Sequence, residues 1–157
     1  MKILLLVIGK TDEKYLADGI DKYLNRLKHY IGIDYEEIPD LKNRKSLSEA
    51  QQKKQEGLLI LSKLKPSDKL VLLDDKGKEY SSIQFSKHLQ NQMNSGIKRL
   101  VLVVGGPYGF DPSVYAKAEG KLSMSRMTLS HQMIRIFIVE QVYRAFSILK
   151  NEPYHHE

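Results

Sequence analysis

The sequence contains no cysteine, and it has no apolar run long enough to span a membrane. Without cysteine the chain has no disulfide framework, no thiolate zinc site and no cysteine nucleophile. We therefore expect a cytoplasmic protein that needs no metal and has no membrane partner.

The chain also lacks internal repeats, low-complexity stretches and linker-like segments. Its 157 residues suffice for one domain with a sizeable core, so we expect a single domain over residues 1–157. The opening MKILLLVIGK has the start of a signal peptide, but its six apolar residues end at Gly9 and no small-residue cleavage site follows. A first β-strand is the better prediction.

Basic side chains outnumber acidic ones, 25 to 19, which gives a formal net charge of +6. A basic surplus favours polyanionic partners such as nucleic acid. Many soluble proteins carry a similar charge that serves only solubility, so the charge leaves both interpretations open.

Strand-like and helix-like segments alternate along the chain. Apolar runs predict strands over residues 2–8, 33–39, 69–74, 99–104 and 121–125. Helical spacing predicts helices over residues 12–29, 46–64, 81–96, 112–119 and 130–150, with Ser46 or Ser48 and Ser81 or Ser82 as caps. The stretch DDKGK (74–78) predicts a turn. This alternation predicts an α/β fold in which helices cover both faces of a parallel sheet, an α/β/α sandwich.

The stretch VLVVGGPYGF (101–110) is an apolar strand that ends on glycines, at the edge where such sheets bind ligands. No Gly-Lys-Ser/Thr follows, so it is not a phosphate loop, and the spacing of Gly105, Gly106 and Gly109 is not the dinucleotide fingerprint. Taken alone, the glycines predict either a tight turn or a place where a ligand approaches the backbone closely.

The stretch LSMSRMTLSHQM (122–133) mixes small hydroxyl side chains with apolar ones before the last helix. Such a segment can offer main-chain amides and carbonyls to a flat ligand, or it can be a plain connection with Ser130 as helix cap. In the helix that follows, Arg135 is the one polar residue between Met133 and Val139. We expect this helix to be buried on two sides, as a subunit interface would make it.

Three stretches together resemble the ribosomal RNA large subunit methyltransferase H family: VLVVGGPYGF, LSMSRMTLSHQMIRIFIVEQVYRAF and the tail NEPYHHE. The resemblance covers the whole chain. It implies a SPOUT fold, in which the C-terminal segment threads through a loop to form a trefoil knot. It also implies an S-adenosylmethionine pocket inside that knot.

The resemblance assigns the cofactor contacts to two glycine positions, a strand end and the segment before the last helix. These residues are Leu73, Gly105, Gly106, Met124, Ser125, Arg126, Met127, Thr128 and Leu129. Gly106 and Gly109 would shape the loop, which Pro107 stiffens. A neutral pocket of main-chain groups needs neither metal nor a phosphate-binding lysine.

The family implies methylation of N3 of a pseudouridine, at position 1915 of 23S ribosomal RNA, by a homodimer acting on assembled ribosomes. His155 is the candidate base, and Tyr154 the candidate for orienting it or stacking on the substrate. Arg144 is the candidate for holding phosphate or stabilising an oxyanion. Two plainer alternatives stay open: Arg144 can pair with Glu140 on the same helix, and His131 is more simply a helix-start residue.

The chain departs from the family pattern at its end and in the glycine loop. His156 and Glu157 follow Tyr154 and His155 where a basic residue is expected, and Tyr108 stands where the family has acidic or amide residues. Two rival functions stay open, a knotted methyltransferase acting on transfer RNA and a non-enzymatic module that binds RNA or the ribosome.

Overall fold

The computed structural model describes residues 1–156, so the predicted departure at Glu157 lies outside the described residues. The five strands are β1 (Lys2–Ile8), β2 (Gly32–Ile38), β3 (Asp68–Glu79), β4 (Arg99–Val104) and β5 (Gly120–Ser123). The helices are α1 (Lys14–Leu27), α2 (Glu49–Ser62), α3 (Ser82–Asn94), α4 (Pro112–Lys117) and α5 (Met133–Leu149), and a 3₁₀ turn spans Arg44–Ser46.

The strands form one sheet in the order β2-β1-β4-β3-β5, and every neighbouring pair is parallel. β1 and β4 are central, which explains why their sequences are continuous apolar runs. Parallel neighbours need long crossover connections, and the helices supply them. The predicted parallel α/β fold is confirmed.

Two separate apolar cores lie on the two faces of the sheet. One core joins the sheet to α1, α3 and α5 through side chains such as Ile20, Leu89 and Val142. The other joins it to α2 and α4 through Ile60 and Val114. The prediction of helices on both faces is therefore confirmed.

The helix ends follow local sequence signals. Ser48 and Ser81, rather than Ser46 and Ser82, cap α2 and α3, and each forms a reciprocal capping box with the glutamine three residues later. Gly96 follows α3 with φ of 78°, a backbone conformation that glycine adopts without strain.

The predicted turn over residues 74–78 is wrong. β3 continues to Glu79, and its pairing with β5 is irregular because both Leu73 and Lys78 lie opposite Leu122. Gly77 makes this possible, since a Cβ there would lie 2.6 Å from the main chain of Leu122. An irregularity of this kind depends on the neighbouring strand, so the local turn signal could not reveal it.

Helix α5 lies against both α1 and α3, so most of its apolar surface is covered within the chain. Phe137 is the exception, with 44% of its surface exposed. The start of the helix contacts the chain just after β1, because the Gln132 amide donates to the Lys10 oxygen at 2.9 Å. None of the helices within residues 1–156 is both long and apolar enough to cross a membrane.

Candidate functional site

A cavity of about 520 Å³ opens at the carboxyl end of β4, where β3 continues beyond its pairing with β4. Three segments line it, namely residues 73–76, residues 104–110 and residues 123–131 without Arg126, together with Tyr115 and Ile134. We name it the glycine-turn cavity. Its size and its position at the edge of a parallel sheet are typical of sites for small organic ligands.

The glycine loop is a tight turn. The amide of Gly109 donates to the Gly106 oxygen at 3.2 Å, and Gly109 has φ of 79°. Pro107 and Tyr108 form the tip of this turn and line the cavity as well. The tight-turn interpretation is therefore confirmed, and the turn is part of the cavity wall, while close approach of a ligand to its backbone stays a prediction.

The two glycines before the tip are closely packed from behind. A Cβ on Gly105 would lie 3.0 Å from the ring of Phe110, and one on Gly106 would lie 2.6 Å from the carboxylate of Glu56. Glu56 is buried and accepts a hydrogen bond from the Gln52 amide at 2.9 Å. Burial raises the pKa of Glu56 above its ordinary value.

Two serine hydroxyl groups in the segment before α5 accept hydrogen bonds from main-chain amides of the same segment. Ser125 Oγ accepts from the Met127 amide at 2.9 Å, and Ser130 Oγ accepts from the Met133 amide at 3.1 Å. The Met127 side chain is 79% exposed although it lines the cavity. The Ser130 hydroxyl thus stabilises the turn that leads into α5, but the residue directly before the helix is Gln132, which makes no side-chain cap. The ligand-facing role of this segment stays a prediction.

Eight of the nine predicted cofactor residues line the glycine-turn cavity: Leu73, Gly105, Gly106, Met124, Ser125, Met127, Thr128 and Leu129. Arg126 does not line it. Its side chain points away and forms an exposed ion pair with Glu79 at 3.3 Å. A cofactor contact by Arg126 stays a prediction.

Two polar residues of the cavity were missed by the sequence analysis. Tyr115 donates to the Asp74 carboxylate at 2.5 Å, and the Lys76 amide donates to the same side chain at 2.8 Å. Burial opposes ionisation of Asp74, but these hydrogen bonds outweigh it and lower its pKa. Burial and the nearby Asp74 raise the pKa of Tyr115 to about 12. The cavity edge thus carries a fixed negative charge, and the position of Asp74 directly after the buried apolar residues 70–73 was the available signal.

His131 also lines the cavity, which the helix-start interpretation did not include. Burial, assisted by the positive charge of Arg135, lowers its pKa below the ordinary value. Its imidazole is therefore uncharged near neutral pH.

The three predicted catalytic residues lie together. The Arg144 guanidinium carbon is 4.7 Å from the centre of the Tyr154 ring, and Arg144 Nη1 is 3.4 Å from His155 Nδ1. Glu140 connects them, because its carboxylate accepts from Arg144 Nη2 at 2.6 Å and from the Tyr154 hydroxyl at 3.0 Å. The helix-pair interpretation of Arg144 is confirmed. We name these four residues the C-terminal cluster.

The tail is docked on the helices rather than frayed. Tyr154 packs its ring 4.7 Å from that of Tyr143, and its hydroxyl lies 3.2 Å from the Tyr23 hydroxyl. Burial raises the pKa of Tyr154, and the hydrogen bonds with Tyr23 and Glu140 raise it further. Tyr154 therefore stays protonated and acts as a hydrogen-bond donor at all ordinary pH values.

The C-terminal cluster does not line the glycine-turn cavity of its own chain. Arg144 follows the cavity residue Ile134 by ten residues on α5, which corresponds to about 15 Å along the helix axis. Within one chain, the predicted cofactor residues and the predicted catalytic residues are thus two separate groups. In the part of the chain that the structure describes, no three metal-ligating side chains lie together.

Comparison with known proteins gives a consistent result over the full length. The family description "Predicted SPOUT methyltransferase" matches residues 1–155. The ribosomal RNA large subunit methyltransferase H of Parabacteroides distasonis is 61% identical over 157 residues, and that of Flavobacterium johnsoniae is 60% identical, with all of each chain covered.

One solved structure is similar at a lower level. It is the SpoU methyltransferase AviRb from Streptomyces viridochromogenes in complex with AdoMet, with 12% identity and a TM-score of 0.47. The match covers 96% of this chain and 59% of that one. A likeness this distant adds nothing to the assignment.

Proposed function

Because the chain belongs to the SPOUT methyltransferase family, and within it to the ribosomal RNA large subunit methyltransferase H proteins, we propose that it methylates 23S ribosomal RNA with S-adenosylmethionine. The proposed acceptor is N3 of the pseudouridine at position 1915 on the assembled ribosome. The observation that carries the proposal is the glycine-turn cavity, which gathers residues from three distant parts of the sequence.

The residues of the cavity fit S-adenosylmethionine. Leu73, Met124 and Leu129 offer apolar surface for a flat ring, and the glycine turn offers main-chain groups for its edge. The ionised Asp74 suits ribose hydroxyls or an ammonium group, and it favours a positively charged ligand. Because Phe110 and Glu56 pack behind the glycines, the turn is already formed before any ligand enters.

The cofactor supplies a methyl group activated by its bond to a sulfonium sulfur. The protein must then hold the acceptor nitrogen in line and assist the loss of its proton. The N3–H of a pseudouridine is a weak acid, and its loss leaves negative charge on the two neighbouring oxygens. Donors placed at those oxygens would therefore lower the barrier.

The C-terminal cluster has the donors for this role. Arg144 can only donate, so its contact with His155 Nδ1 leaves that nitrogen as the acceptor and the proton on Nε2. In this tautomer His155 is a donor beside a guanidinium, which suits a developing oxyanion better than proton abstraction. To act as the base, which is the other role proposed for it, His155 would first have to release Nδ1 from Arg144, with Tyr154 orienting the ring or stacking on the substrate.

A homodimer would bring the two groups together. Phe137 is exposed on the outer face of α5, as an interface residue would be in a separated chain. Arg144 follows Phe137 by seven residues, and the cavity residue Ser130 precedes it by seven. An antiparallel two-fold pairing of α5 centred on Phe137 would therefore set Arg144 near the partner's Ser130. We propose that each active site uses the cavity of one subunit and the C-terminal cluster of the other.

The proposed trefoil knot is supported by the course of the chain after β5. Residues 123–131 follow the edge strand β5 and line the glycine-turn cavity. Gln132 then contacts Lys10 and Asp12, which follow β1 on the other side of β3 and β4. The net charge of +6 supports an RNA substrate.

The direct test is methyl transfer to purified ribosomes that lack the modification, with labelled S-adenosylmethionine and mass analysis of the RNA. We expect one added methyl group on the pseudouridine of 23S RNA. Transfer RNA is offered as a parallel substrate, and label in it instead would favour the transfer-RNA alternative.

Calorimetry separates an enzyme from a pure binding module. We expect S-adenosylmethionine to bind the isolated protein and to raise its melting temperature. Absence of both effects, together with unlabelled ribosomes, would contradict the proposed function.

A further inference from the structure

A second cavity, of about 300 Å³, lies between α3 and the β3–β5 edge of the sheet. We name it the α3 cavity. Its inner wall is apolar and includes Val71, Leu89 and Leu122. None of its residues belongs to the glycine-turn cavity or to the C-terminal cluster. The proposed methylation therefore does not account for the α3 cavity.

Two flat side chains form one wall of the α3 cavity. The rings of Tyr80 and His88 are 5.1 Å apart and are inclined by 32°. Burial, with the positive charges of Lys69 and Lys78, lowers the pKa of His88. An uncharged imidazole beside a phenol ring is a surface on which a nucleobase can stack.

Three lysines surround the opening: Lys69, Lys78 and Lys121. Lys69 is paired with Glu119 at 3.2 Å. Lys78 has no carboxylate partner within residues 1–156, and its Nζ lies 4.8 Å from the centre of the Tyr80 ring. Lys121 Nζ instead lies 5.8 Å from the centre of the Tyr115 ring, beside the glycine-turn cavity. A free cation, Lys78, beside an aromatic wall favours a ligand that carries a phosphate.

An unsatisfied amide gives a second, independent indication of a ligand. Gln92 lines the α3 cavity, and its buried side-chain oxygen has no hydrogen-bond partner. Its nitrogen has only a long contact with His88 Nε2, at 3.5 Å. Turning the amide over would satisfy the oxygen but leave the nitrogen without a partner. In either orientation one end of Gln92 requires a group that the chain itself does not supply.

We propose that the α3 cavity binds one nucleotide of a single-stranded RNA segment. The base stacks on Tyr80 and His88, its edge bonds to the Gln92 amide, and its phosphate lies beside Lys78. This inference rests on the proposed function, because it makes the occupant part of the RNA substrate. Leu122 lines this cavity and is paired in the sheet with Leu73 of the glycine-turn cavity, so one RNA strand can reach both.

Two variants test the site without removing buried side chains. Lys78→Gln removes an exposed cation, and Gly120→Ile fills the cavity, because a Cβ at Gly120 meets no atom within 4 Å. An isoleucine also suits a strand position. Lys87→Gln is the matched control, since Lys87 is exposed on α3 and does not line the cavity.

Binding is measured by fluorescence anisotropy with a short labelled oligouridylate, and its location by amide NMR shifts of Gly120, Leu122 and Gln92. We expect shifts at these residues in the parent protein. We expect affinity to fall about fivefold or more in each variant, through the lost phosphate contact in Lys78→Gln and the lost base stacking in Gly120→Ile, and to be unchanged in Lys87→Gln. S-adenosylmethionine affinity, measured on the same samples, should be the same in all four proteins.

Free uridine monophosphate and adenosine monophosphate are tested in parallel. Mononucleotides that shift the same residues and bind as tightly as the oligonucleotide would assign the cavity to a free nucleotide and overturn the RNA assignment. Oligonucleotide binding without shifts at these residues, or an equal loss in Lys87→Gln, would also overturn it. Methyl transfer to ribosomes is read separately, so the proposed function can stand where this inference fails.

Discussion

The guanidinium of Arg135 donates from Nη2 to the main-chain oxygen of Ile8 at 2.6 Å, which ties the last helix to the end of the first strand. Nη1 donates to the Gly9 oxygen and to Thr11 Oγ1, each at 3.0 Å, and Nε donates to the His131 oxygen at 2.9 Å. Arg135 is completely buried. It is the link that fixes the start of α5, and with it one wall of the glycine-turn cavity.

Replacement of Arg135 by methionine should therefore be strongly destabilising. Methionine keeps much of the volume but leaves two buried carbonyl oxygens without donors, which costs about 3 kcal/mol in the free energy of unfolding. Urea denaturation measures the loss. The control is Arg44→Met, which breaks an ion pair with Asp40 whose two side chains are each 50% exposed, and it should cost less than about 1 kcal/mol. Equal losses of stability in the two variants would show that the Arg135 guanidinium does not hold α5 to the end of β1.

A valine at position 105 should block the glycine-turn cavity. The Cβ alone would lie 3.0 Å from the buried Phe110 ring, so the two methyl groups must displace either that ring or the turn. Because this overpacking distorts the loop, we expect the affinity for S-adenosylmethionine to fall about tenfold or more. Calorimetry measures it against Gly120→Val, where the added side chain enters open space. Unchanged affinity in Gly105→Val would remove this loop from the binding site.

The stability of Glu56→Gln relative to the parent should depend on pH. Burial raises the pKa of Glu56, so the folded state holds this proton more tightly than the unfolded chain does. The contribution of Glu56 is then fully present below the ordinary glutamate pKa and is lost as the pH rises through the raised value. Because glutamine carries no charge, the variant should gain stability relative to the parent as the pH rises from the ordinary glutamate pKa, about 4, through the raised value. Urea unfolding at several pH values checks this, and a constant difference would contradict it.

Local signals predicted most of the fold. The strands over residues 2–8 and 99–104 were readable because central parallel strands are buried on both faces, and each of these two is apolar at every position after its first residue. The helix caps at Ser48 and Ser81 were readable because capping is a contact between near neighbours.

Contacts between distant residues were not readable in the same way. Tyr115 and Asp74 are 41 positions apart, and only the folded sheet brings them to one cavity edge. The same holds for Arg135 and Ile8, where a residue that looked like one polar interruption of an apolar helix is completely buried and makes four hydrogen bonds. Eight predicted cavity residues could be named beforehand because family resemblance carries information about such long-range contacts, which periodicity does not.

The separation of the C-terminal cluster from the cavity leads to a complementation test. Gly105→Val should disable the cavity of its own chain, and His155→Ala should disable the cluster of its own chain. Each variant alone should be nearly inactive on ribosomes, while His155→Ala keeps its affinity for S-adenosylmethionine.

If the active site joins two subunits, a mixed dimer of the two variants contains one site in which both parts are intact. An equal mixture, unfolded and refolded together, should then recover about a quarter of the parent activity, since half of the dimers are mixed and each has one working site. If cavity and cluster work within one chain, the mixture stays as inactive as its components. Phe137→Glu serves as the companion variant: a charge at the centre of the proposed interface should give monomers in sedimentation and abolish the recovery, whereas recovery without a dimer would disprove the shared site.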